Sequence, residues 1–210
     1  MNSAPEQDEL VESAEKSNLS VADVQKRQSH PVRIGVFVIL TILALTLPYG
    51  LGRHLALEKT SSLIRLVSAY DPSSGALLSW AITTLTFMAT GMLLADSKRT
   101  LWGIITLLAF SLQQFLCGIG LVKTGFWHAT AVVYGRAAGY ANALNIGVFA
   151  SGVGLALFLI IYLILLLAVK KTSSLNILTR SWMALLFLFL VEVLVLLICY
   201  LGGIVSMVVY

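Results

Sequence analysis

Long apolar runs separated by short polar punctuation define this chain. Five stretches, at about residues 32–50, 75–95, 101–122, 144–169 and 182–207, come close to or exceed the roughly 20 residues that an α-helix needs to cross hydrocarbon. Their apolar positions are continuous. A membrane β-barrel would alternate apolar and polar positions over about ten residues per strand, so a barrel is excluded. Between the first two runs the pattern changes. From Glu58 to Tyr70, Leu63, Leu66, Val67 and Tyr70 fall on one helical face, and Glu58, Ser62, Arg65 and Ser68 fall on another. That spacing predicts a short amphipathic helix lying in the interface plane. The predicted fold is all-α: a polytopic helical membrane protein with about five transmembrane helices and one outer interfacial helix.

Punctuation sets the boundaries. Pro48 and Gly50 are expected to close the first span, and Asp71-Pro72-Ser73-Ser74-Gly75 to start the second. Residues 96–100 are so few that spans two and three must form an antiparallel hairpin. Span two carries a polar face of Thr83, Thr84, Thr86 and Thr90. Span four opens on Gly147, Ser151, Gly152, Gly154 and Ala156, small residues that let helices approach closely. The pair Gly202-Gly203 offers a break late in span five. Residues 1–31 form a polar tail that passes from acidic to basic and cannot bury enough apolar surface to order itself. Within that tail, Ser20 caps a possible short helix to Arg27. The membrane domain is residues 32–210.

Charge adds orientation. The chain has 58% hydrophobic and only 11% charged residues, against roughly a quarter charged in a soluble domain. Nine of the fourteen lysines and arginines fall on one side if the N-terminus is cytoplasmic, and two short connections on that side, 96–100 and 170–180, are densely basic. The positive-inside rule then places the N-terminus in the cytoplasm and the C-terminus outside, in a plasma (inner) membrane. The formal charge of +4 reflects these flanking residues and the anionic headgroups they meet, so it gives no case for nucleic acid. Cys117 and Cys199 both lie inside apolar runs, which leaves no disulfide framework.

Candidate chemistry is sparse. Glu192 is the one acidic residue inside an apolar run, and such a group marks a functional site by default. At 1.5 Å per residue it sits roughly 15 Å above Trp182, and Gln113 roughly 18 Å above Leu101, which predicts a midplane polar site of Glu192, Gln113 and Gln114. The outer connection 123–143 supplies a second candidate: Trp127, His128, Tyr134 and Arg136, with Arg136 suited to a phosphate or carboxylate and the aromatics to an interfacial belt. The sequence contains no nucleophile–base spacing, paired carboxylates, phosphate loop or metal motif. The expected function is therefore a non-catalytic accessory or assembly subunit, without cofactor or metal, whose partners are the bilayer and another membrane protein or a second copy. A small oligomeric transporter centred on Glu192, and a lipid-handling protein working through the outer connection, are the alternatives.

Overall fold

The computed structural model describes residues 31–95, 99–123, 125–169, 173, 178 and 181–209. The polar tail with its expected short helix lies outside the described residues, as does most of the basic connection 170–180. The chain divides into two compact units, Met1–Thr41 and Ile42–Tyr210. In the first, residues 31–41 form the opening turns of a helix whose Val36–Leu40 side chains are exposed. The packing that follows is that of the second unit.

The described residues hold eight α-helices: α1 (Pro31–Glu58), α2 (Thr60–Val67), α3 (Pro72–Ala95), α4 (Arg99–Ile119), α5 (Phe126–Tyr134), α6 (Ala138–Ala168), α7 (Ser181–Leu201) and α8 (Ile204–Val209). A single 3₁₀ turn, Gly135–Ala137, joins α5 to α6. Five helical stretches are long and apolar enough to cross a membrane, which fits a helical membrane protein. The core is the α3–α6–α7 group, with α4 packed on α3. Its apolar layers run from Ala76, Ala143 and Val205, through Trp80, Ala150, Val195 and Leu196, to Phe158, Leu188 and Val191.

Several boundaries differ from the sequence expectation. Helix α1 does not stop at Pro48 and Gly50 but continues to Glu58. Proline costs one backbone hydrogen bond, yet the extra turns bury Ala56 completely. They also bring Gly52 against Gly118 of α4. A Cβ on Gly52 would run into the Phe115 carbonyl oxygen and lie 3.0 Å from the Ile119 nitrogen. One on Gly118 would run into the Tyr49 carbonyl and lie 2.8 Å from the Arg53 nitrogen. The two backbones touch there.

The amphipathic helix is real but shorter and rotated. It occupies Thr60–Val67, and its half-buried face is Leu63, Ile64 and Val67. Leu66, placed on that face by sequence, is 67% exposed. Asp71 ends the link and caps α3: its carboxylate accepts from the Ser73 N–H at 2.8 Å and the Ser73 hydroxyl at 2.7 Å, which holds its carboxyl below the ordinary value. At the other end of the chain, Gly203 at φ +73° breaks the fifth span as the glycine pair suggested. The short α8 then folds onto α6 and α3 and buries Val205.

The largest difference is the outer connection. Residues 123–143 are not an open loop. Residues 126–134 are helix α5, and α6 starts at Ala138 rather than at 144. This arrangement closes the end of α4. There Val122 donates to the Cys117 carbonyl at 3.0 Å and Leu121 to the Gly118 carbonyl at 3.2 Å, with Leu121 left-handed at φ +52°. The carbonyls left over find side chains. Tyr134 donates its hydroxyl to Ile119 O at 2.7 Å, Asn145 donates Nδ2 to Gly120 O at 2.7 Å, and Tyr49 reaches Val122 O at 3.4 Å. A helix end set among apolar segments needs those donors, because little water reaches it.

Candidate functional site

Glu192 lies about halfway along α7 and is fully buried, at 0% exposure. Thr84 of α3 donates to its Oε2 at 3.3 Å, and the Thr84 and Ser151 hydroxyls share a hydrogen bond of 3.0 Å. Ser151 of α6 and the Trp80 indole of α3 also lie within range of the carboxyl group. The indole N–H and Oε1 nevertheless stop short of full hydrogen-bond geometry. Gly154 makes the room: a Cβ there would sit 2.7 Å from the Glu192 carboxyl carbon and from Oε2. Three helices therefore meet on one carboxyl group.

The companions expected from depth are not the ones found. Gln113 and Gln114 are half-buried on α4, and Gln113 Oε1 is buried without a partner, whereas the polar neighbours of Glu192 come from α3 and α6. Residue counting gives a level along a helix but not the side it faces, and the faces decided the outcome. The signal was present in Thr84 on the threonine face and in Ser151 and Gly154 among the small residues. Gly147 is likewise engaged inside the chain, whereas Gly152 and Ala156 are exposed. A Cβ on Gly147 would run into Ser79 Oγ and the Ala76 carbonyl of α3. Cys117 and Cys199 are free thiols; Cys199 packs against the Trp80 and Ala76 layers, as a small apolar side chain does.

The second candidate region is the end of the bundle built by α2, α5 and the start of α6. Of its four sequence candidates, Tyr134 is buried as the donor to Ile119 O, Trp127 is 45% exposed and stacked on Phe126, and Arg136 is exposed on the 3₁₀ turn. His128 lines a hollow together with Arg53 and Lys123. Arg136, the anion-binding candidate of the sequence, is not in this hollow, and Arg53 reaches it because α1 runs past Gly50.

Two hollows flank this region. One, of about 310 Å³, lies among α2, α3, α4 and the 3₁₀–α6 segment. Its walls include Leu63, Ile64 and Val67 of the amphipathic helix, Leu78, Leu116, Ile119, Ala141 and Leu144. Polar side chains there are confined to Tyr70, Asp71, Ser74, Tyr134 and Tyr140. That size reaches the roughly 300–1,000 Å³ of small-molecule sites, and a mostly apolar wall with few polar groups suits an apolar chain. The other, of about 290 Å³, carries the cations. Glu192 lines neither. Comparison with protein families, with curated proteins and with solved structures finds no match.

Proposed function

We propose that the protein is a lipid-binding integral membrane protein of the plasma membrane, acting by binding rather than catalysis. With the N-terminus cytoplasmic, the α2–α5 end faces outward and receives one acyl chain between the interfacial helix and the bundle. The apolar hollow behind α2 carries this reading. It sits where an amphipathic helix meets the spans, and its wall matches hydrocarbon. An accessory subunit that docks on another membrane protein has less support: Gly147, Ser151 and Gly154 of α6 and the lone carboxylate, which suggested such a partner, are engaged within the chain, and only Gly152 and Ala156 of that small-residue set are exposed. A transporter centred on Glu192 would need access to a carboxyl that is fully buried.

Filling the hollow tests the proposal. A Cβ on Gly75 would meet Leu144 at 3.5 Å, an ordinary contact, and Gly75→Val with Ala137→Leu adds bulk from two walls of the hollow. Lipid retained through detergent purification, counted by native mass spectrometry, should fall about ten-fold, the equivalent of about 1.4 kcal/mol of lost affinity. The unfolding midpoint should hold or rise. Retention equal to wild type in a folded double variant would contradict lipid binding in this hollow.

A further inference from the structure

Among the described residues, the second hollow gathers cations without a counter-ion. Tyr49 and Arg53 line it from α1 one turn apart, Lys123 from the turn that ends α4, and His128 from the first turn of α5. None of its nine lining residues is acidic. The nearest carboxylate along α1, Glu58, pairs instead with His54 at 3.1 Å. Leu57, Val132 and Val133 complete the wall with apolar surface. Leu121, also in this wall, packs in one cluster with Tyr134, which lines the apolar hollow, so the two hollows adjoin across that cluster.

Arg53, Lys123 and His128 are exposed at this hollow, and an anion seated between the guanidinium and the ammonium would offset their mutual repulsion. Arginine offers a planar fork that matches two phosphate oxygens, and lysine adds a point charge. We propose that the Arg53–Lys123–His128 hollow binds a phosphate ester, the headgroup of an anionic phospholipid. The choice of a lipid as its source rests on the lipid-binding reading above. Arg53 lies in the last two turns of α1 and Lys123 just past the end of α4, where basic side chains reach the headgroup layer. Arg53 and Lys123 hold the phosphate, His128 donates a further hydrogen bond, and the aliphatic wall takes the glycerol and the first methylenes.

The test uses the full chain in nanodiscs of phosphatidylcholine with a minor fraction of phosphatidylglycerol, reading bound lipid by native mass spectrometry. Wild type should enrich phosphatidylglycerol about ten-fold over its bulk share, the range expected of charge-assisted hydrogen bonds. Arg53→Gln with Lys123→Gln should return the ratio to bulk, and the charge-keeping swap Arg53→Lys with Lys123→Arg should preserve most of the enrichment. Arg65→Gln with Arg136→Gln, exposed cations outside the hollow, should leave it unchanged. Enrichment that survives loss of Arg53 and Lys123, or that falls equally with Arg65 and Arg136, would overturn the proposal. Soluble glycerol phosphate should fail to displace the lipid; displacement at equal concentration would make the free ester the ligand and overturn the headgroup assignment. The Gly75→Val, Ala137→Leu variant separates the two readings: less total lipid with phosphatidylglycerol preference intact supports both, whereas unchanged total lipid defeats only the acyl-chain hollow.

Discussion

Glu192→Leu is expected to cost about 1–3 kcal/mol of bundle stability, while Glu192→Gln costs much less. Leucine fills similar space but removes the acceptor of the Thr84 hydroxyl and the polar group beside the Trp80 indole. Interhelical hydrogen bonds in membranes are individually worth about 0.6–2 kcal/mol, and this group engages two helices at once. Glutamine keeps an acceptor oxygen for Thr84 and nearly the same shape. Unfolding in mixed detergent should rank the variants wild type, Gln, Leu. A double-mutant cycle of Glu192→Leu with Thr84→Ala should show a coupling of about 0.5 kcal/mol or more, since the two share one bond. Strict additivity would mean that the carboxyl group does not join these helices.

Gly118→Val should be still more damaging, at about 3 kcal/mol or above. Overpacking commonly costs about 1–3 kcal/mol when side chains can shift, and more when they cannot. Here the obstacle is backbone: the Tyr49 carbonyl and the Arg53 nitrogen lie where the new side chain must go. Helix α1 would have to separate from α4, breaking the Tyr49 bond to Val122 and displacing Arg53 from Lys123 and His128. Cross-linking by a short bis-maleimide between cysteines placed at Tyr49 and Val122, a pair that the length of the Tyr49 side chain spans in the wild type, should succeed in the wild-type background and fail in the Gly118→Val background. Cross-linking that is equal in both would refute the close crossing. Gly50→Val is the matched control, because no atom lies within 4 Å of a Cβ there.

Much of this architecture was legible from residue order. Continuous apolar runs gave the five spans, Asp71-Pro72 gave the start of α3, and the changed period gave α2. What stayed hidden depended on azimuth and on long-range closure. Depth arithmetic put Glu192 level with Gln113, but a helix offers several faces at one depth, and α7 turned this one toward Thr84 and Ser151. Pro48 read as a terminator because local propensity favours ending a helix there. The contacts of Gly52 and Ala56, which lie farther along the chain, outweighed it. The connection after α4 read as a loop because Gly125 and Gly135 bracket only nine residues, too few to span and too apolar to mark an interface helix. With α1 expected to end at Gly50, nothing in the sequence drew Arg53 toward Lys123.

The central claim is that an acyl chain enters the hollow behind α2, and photolabelling tests it most directly. The protein would be reconstituted with a phospholipid carrying a diazirine along its acyl chain, irradiated, and mapped by peptide mass spectrometry. Exposed leucines will label in any bilayer, so the informative positions are Ile119, Tyr134 and Ala141, which are buried and line the hollow. Adducts are expected on these residues and should disappear in the Gly75→Val, Ala137→Leu variant. Labelling confined to the outward faces of α1, α6 and α7, and unaltered by that variant, would contradict it.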